Sequence, residues 1–153
     1  MPTPGCPADE APSAWSITGL AMGWGGLPYV GVSGELGFSH YAGASLVLGT
    51  WYTTVSYDSL PPIIESGYTH LLGANAAAYP YGGLEGLRLG FEAAYAVTTN
   101  DHLHGPRAEE DSLGAGFVIF IGHKVIRKSG FTFVTDLGMG SRLLLRLGIG
   151  WSG

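Results

Sequence analysis

Along most of this chain large apolar side chains take every second position, and small or charged residues fill the positions between. The pattern is clearest over residues 129–153, SGFTFVTDLGMGSRLLLRLGIGWSG. Phe131, Phe133, Thr135, Leu137 and Met139 share one parity, and Thr132, Val134, Asp136, Gly138 and Gly140 share the other. Beyond a turn at 138–141, Leu143, Leu145, Leu147, Ile149 and Trp151 alternate with Leu144, Arg146, Gly148 and Gly150. Successive side chains of a strand point to opposite faces. The stretch therefore predicts two hairpin-linked strands, each with a bulky apolar face and a face of small residues carrying one or two charges. A soluble sheet turns its bulky apolar face inward and its charges outward. Large apolar residues on one side with Gly, Asp and Arg on the other is the pattern of a transmembrane β-barrel.

The same period predicts six earlier strands, over 13–24, 29–39, 44–57, 67–79, 84–98 and 112–126. Their apolar stripes include Val30, Val32, Leu36 and Phe38 in the second, Leu46 and Leu48 in the third, and Phe91, Tyr95 and Val97 in the fifth. Opposite these stripes, mid-strand, stand Glu35, Arg88, Glu92, Asp136 and Arg146. Turns are expected at 25–28, 41–43, 80–83 and 127–130. Residues 58–66, with Pro61 and Pro62, are expected to form a loop, because proline is excluded from a central ladder. Residues 100–111 form the longest and most polar connection. Residues 1–14, rich in Pro, Ala and acidic side chains, have no periodicity and read as a disordered tail before one barrel domain over 15–153. The fold class is all-β, an eight-stranded antiparallel up-and-down transmembrane β-barrel, each strand long enough to cross a bilayer at a tilt.

Composition sharpens this picture. Charged residues make up 12% of the 153, against about 25% in ordinary soluble domains. No run of about 18 apolar residues exists, so no transmembrane helix is expected. Twenty-six glycines argue against long helices and suit a crowded interior. A net charge of -5 with no basic patch is no basis for nucleic-acid binding. The single cysteine, Cys6, makes no internal disulfide and reads as a bystander in the tail. No secretory signal is visible; a membrane barrel needs export, so the expectation is a signal that was removed or that lies upstream.

Short even-numbered connections, placed at the periplasm, put both termini there. This sorts the aromatics into two expected girdles. Trp15, Phe38, Tyr79, Phe131 and Trp151, with Tyr41 and Tyr81, belong to the periplasmic one. Trp24, Tyr29, Tyr57, Tyr68 and Tyr95 belong to the outer one.

With these features the chain resembles, over about residues 15–151, the small eight-stranded bacterial outer-membrane β-barrels of the OmpA membrane domain and OmpX type. The resemblance is architectural, with one sharper local feature. Arg146, Gly148 and Trp151 follow in order the C-terminal assembly signal of that family, whereas the terminal Gly153 departs from its usual aromatic. The resemblance implies a monomer in the bacterial outer membrane, with lipids and the outer-membrane assembly machinery as partners. It also implies a lumen filled by salt-bridged acidic and basic residues, here Glu35, Glu92 and Asp136 with Arg88 and Arg146. Which carboxylate meets which arginine depends on register.

Eight strands leave an interior just wide enough for side chains, so these charges are expected to plug the lumen rather than line a pore. Glu35 and Glu92 raise acid/base catalysis, but nothing places a substrate near them. Eight-stranded outer-membrane lipid A deacylases and palmitoyltransferases make an outer-membrane lipid-modifying enzyme the main alternative. For it, His70 with Ser66 and Thr69 is a better candidate than His40 with Ser39, which sits at a periplasmic turn. A soluble lipocalin-like ligand-binding barrel is the second alternative. His102 and His104, with Asp101 and Glu109, suggest a surface metal only weakly, since i, i+2 histidines on a loop are not a closed ligand set. No catalytic residue, cofactor or metal is assigned. The expected role is structural, or surface interaction through the outer loops.

Overall fold

The computed structural model describes residues 15–57, 63–98 and 114–153. They form eight strands: β1 (Trp15–Trp24), β2 (Leu27–Ser39), β3 (Ala42–Tyr57), β4 (Ile63–Ala78), β5 (Gly86–Thr98), β6 (Gly114–Ile126), β7 (Phe131–Gly140) and β8 (Leu143–Ser152). Each pairs antiparallel with its chain neighbour, and β8 returns to β1, so the sheet is a closed up-and-down barrel. Trp15 and Gly153 exchange backbone hydrogen bonds of 3.1 Å at the seam. Closure leaves no unpaired edge. With 10 to 16 residues each, all strands reach the ~9–11 residues a tilted strand needs to span hydrocarbon.

The strand limits differ from the sequence reading where turn chemistry decides. β4 starts at Ile63, because Tyr57 to Thr54 pair with Ile63 to Ser66. β5 starts at Gly86, so the connection before it runs over 79–85. Gly25 and Gly26, at φ 59° and 91°, make the two-residue turn between β1 and β2, where a hairpin of this length needs positive φ. The 1–14 tail, Pro61 and Pro62, and the 100–111 loop with its histidines lie outside the described residues.

Trp15 and Gly153 lie at one end of the barrel, here the terminal end, with the connections at 40–41, 79–85 and 127–130. The distal end carries the 25–26 and 141–142 turns, and the chain leaves toward 58–62 and 99–113 there. Strand alternation appears directly as burial: β8 reads Leu143, Leu145, Leu147, Ile149 and Trp151 exposed, with Leu144, Arg146 and Gly148 buried. The other strands agree, so the exterior carries Ile17, Val32, Leu46, Leu72, Phe91, Ile119 and Leu137 in the open. Toward the distal end the interior is apolar, built from Leu20, Met22, Trp24, Tyr29, Val47, Leu71, Val118 and Leu144. Toward the terminal end it is charged.

Candidate functional site

The charged part of the interior is assembled from five strands, with polar neighbours from two more. Glu35 comes from β2, Arg88 and Glu92 from β5, Lys124 from β6, Asp136 from β7 and Arg146 from β8, with Asn75 of β4 and Ser16 of β1 beside them. Each points inward because it shares parity with the small residues of its strand. All six ionisable side chains are at most 5% exposed. Three cations meet three anions, so the cluster is formally neutral.

The ion pairs run as a chain. Lys124 Nζ is 2.7 Å from Glu35 Oε2 and donates also to Ser16 Oγ at 3.1 Å. Glu35 lies 4.0 Å from Arg88, the outer limit of an ion pair. Arg88 Nε lies 3.2 Å from Asp136 Oδ1, paired by charge although not aligned as a hydrogen bond. Arg146 donates to Asp136 Oδ2 at 3.1 Å and to Glu92 Oε2. Glu92 also accepts from Asn75 Nδ2 at 3.0 Å. The Phe120 ring centre lies 5.1 Å from the Arg88 guanidinium and 5.9 Å from that of Arg146, within cation–π range of both. Asp136 and Arg146 are direct partners across the β7–β8 ladder.

Glycine makes room for the network at one point in particular. A Cβ at Gly122 would lie 2.9 Å from the Asp136 carboxyl carbon and still closer to its oxygen and to the Thr135 carbonyl. Gly122→Ala is therefore expected to push Asp136 off Arg88 and lower stability by ~1–3 kcal/mol, the usual cost of overpacking. A fall in the urea midpoint of the refolded protein measures it, and an unchanged midpoint contradicts this packing.

The five charges expected in the lumen, Glu35, Arg88, Glu92, Asp136 and Arg146, are all in this chain. Lys124 belongs with them and was not among the expected residues. Its signal was present: it shares parity with Val118, Phe120 and Gly122, opposite the Phe117, Ile119 and Ile121 stripe.

The expected girdles divide. Trp15, Phe38, Tyr68, Tyr95, Phe131 and Trp151 face outward. Trp24, Tyr29 and Tyr79 do not, being at most 1% exposed inside the barrel. Trp24 and Tyr29 have interior parity, and Tyr79, one residue past β4, continues the interior parity of Gly73, Asn75 and Ala77. The side chain of Tyr57 lies outside those described. In the expected assembly signal Arg146 and Gly148 point inward, and Trp151 points outward.

The catalytic candidates do not come together. Glu35 and Glu92 belong to opposite ends of the ion-pair chain, each held by cations. His70 faces outward, half-buried, its ring stacked on Tyr68 at 6.4 Å, whereas Thr69 points into the barrel. His40 and Ser39 are exposed at the terminal end. A cavity of about 10 Å³ lies among Ser16, Thr18, Ser33, Ser45, Glu35 and Arg88, room for about one water. Among the described residues no group of three or more His, Cys, Asp or Glu forms a metal cluster.

Comparison with protein-family models, with curated proteins and with solved structures finds no match.

Proposed function

We propose that this protein is a bacterial outer-membrane β-barrel with a side-chain-filled lumen, serving a structural or surface-interaction role through its outer loops. The observation that carries the reading is the inverted distribution of side chains. A band of Leu, Ile, Val and Phe surrounds the outside of the barrel, while six paired charges are sealed within it. In water such an exterior would expose apolar surface far beyond the patch size monomeric soluble proteins tolerate. In hydrocarbon it is the favourable arrangement, and a closed barrel satisfies every strand's backbone without water.

On this reading the terminal end faces the periplasm and the distal end the cell exterior. The connections through 58–62 and 99–113 then carry the surface role. The partners are outer-membrane lipids and the machinery that inserts barrels. The closed sheet offers no edge for strand addition, which favours a monomer. A lipocalin-like barrel would keep an apolar interior with space for its ligand. Here the charged half of the interior leaves about 10 Å³.

Refolding tests the reading. The protein is expected to fold only when detergent micelles or lipid are supplied. Unboiled, it should migrate differently on a denaturing gel from the boiled sample. A soluble, folded monomer in plain buffer would reverse the inside–outside assignment.

A further inference from the structure

The connection between β4 and β5 behaves unlike its neighbours. Connecting segments ordinarily run over the surface, and the side chains at 40–41 and 127–129 do so. From residues 79–85, however, Tyr79 and Leu84 reach into the barrel mouth and are 0% and 2% exposed. Tyr79 donates its hydroxyl to Glu35 Oε1 at 2.5 Å. Its ring centre lies 5.8 Å from both Arg88 and Lys124. Burial, reinforced by Glu35, pushes the Tyr79 phenol well above its ordinary value, so it stays a donor.

Leu84 has φ 53°, a left-handed conformation that is unfavourable for a residue with a Cβ. A buried side chain explains why it is kept there. The remainder of the connection lies at the rim of the barrel, where Gly82 is buried beside His40. Pro80, Tyr81 and Glu85 are exposed. Its backbone is tied to the 40–41 turn by Tyr79 N to Tyr41 O and Gly83 N to His40 O, both 2.8 Å. Glu85 accepts one further bond from Ile126 N at 3.0 Å.

Next to Glu35, the partner of Tyr79, the cavity wall is mostly polar, with Ser16, Thr18, Ser33 and Ser45 beside Leu20 and Val134. Such walls accept water readily. Above them the apolar layer of Leu20, Met22, Trp24, Leu71 and Leu144 does not.

We propose that residues 79–85 form a removable stopper, seated by Tyr79 and Leu84. Withdrawing it exposes a charged vestibule containing Glu35, Lys124 and Ser16 to solvent at the terminal end, while the apolar layer keeps the barrel impermeable. The proposal rests on the interior of the barrel and not on the surrounding solvent, so it stands or falls separately from the membrane reading.

Thiol reactivity tests it. In a Cys6→Ser background, Ser45→Cys places a reporter on the cavity wall, opposite Glu35 in the β2–β3 ladder. Its modification by 2-aminoethyl methanethiosulfonate is followed in the refolded full chain with the stopper intact, and with Tyr79→Ala, Tyr79→Phe or Leu84→Gly. The intact chain is expected to react slowly. Tyr79→Ala and Leu84→Gly are expected to react at least about tenfold faster, the change that corresponds to ~1.4 kcal/mol of lost seating. Tyr79→Phe, which keeps the ring, should give a smaller increase.

Far-UV circular dichroism and cooperative unfolding in urea show which variants are folded. Leu84→Gly carries the test if Tyr79→Ala does not fold, since glycine suits the positive φ. Equal rates in folded intact and variant chains would overturn the stopper, as would rapid labelling of the intact chain. Ion conductance appearing in Leu84→Gly would overturn the sealed layer above it.

Discussion

Arg146→Ala is expected to lower folding stability by about 3–5 kcal/mol, or to prevent refolding altogether. Arg146 is 2% exposed and, among the described residues, is the one cation paired with both Asp136 and Glu92. Deleting it leaves two buried carboxylates, with Arg88 close to Asp136 only and Asn75 as the neutral partner of Glu92. The loss reflects unpaired buried charge rather than the worth of the pairs themselves. Desolvation costs several kcal/mol per ion and can cancel the Coulomb gain. Arg146→Lys keeps the charge and loses the planar fork that reaches two carboxylates, so its effect should be smaller. Lys128→Ala, at an exposed turn, should change stability by no more than about 0.5 kcal/mol. Equilibrium unfolding in urea measures all three. Arg146→Ala within ~0.5 kcal/mol of the parent would mean that the ion-pair chain does not hold the barrel together.

The second large effect is expected on the opposite face of the sheet. Ile119 lies mid-strand in β6, points outward and is 67% exposed. Ile119→Arg should destabilise the refolded protein by ~2–4 kcal/mol, the cost of a cation near the bilayer midplane of a transmembrane barrel. At an exposed position of a soluble protein the same change stays within about 0.5 kcal/mol. The two environments therefore predict effects several-fold apart from one substitution. Unfolding in lipid vesicles reads it, and a change below ~0.5 kcal/mol places Ile119 in water.

Parity made most of this architecture legible. A period of two, sustained through β2, β5, β7 and β8, both marks the strands and assigns each side chain to a face. That is why Glu35, Arg88, Glu92, Asp136 and Arg146 could be grouped from the sequence. Their pairing could not, because it depends on turn geometry. The expected turn at 138–141 is displaced: Met139 pairs with Leu143, so the hairpin is centred on Ser141, and this places Asp136 opposite Arg146. Three aromatic assignments failed because the girdles were sorted by height along the barrel alone. Parity sends Trp24 inward beside an outward Gly23, and Tyr29 inward beside an outward Val30. Tyr79 follows the same rule, sharing parity with Gly73, Asn75 and Ala77 on the interior face of β4, whereas its bond to Glu35, 44 residues earlier in the chain, is recorded by no local pattern.

The measurement that bears most directly on the inverted barrel uses its four tryptophans. Single-tryptophan proteins, with the other three replaced by phenylalanine, would be refolded into vesicles of phosphatidylcholine brominated on its acyl chains. Trp15 and Trp151, 42% and 51% exposed on the outer face, are expected to be strongly quenched by the bromines. Trp24, fully buried in the interior, is expected to retain its fluorescence. Quenching of Trp24 with sparing of Trp15 and Trp151, or no quenching at any of the three, would contradict a barrel that turns its apolar face to lipid.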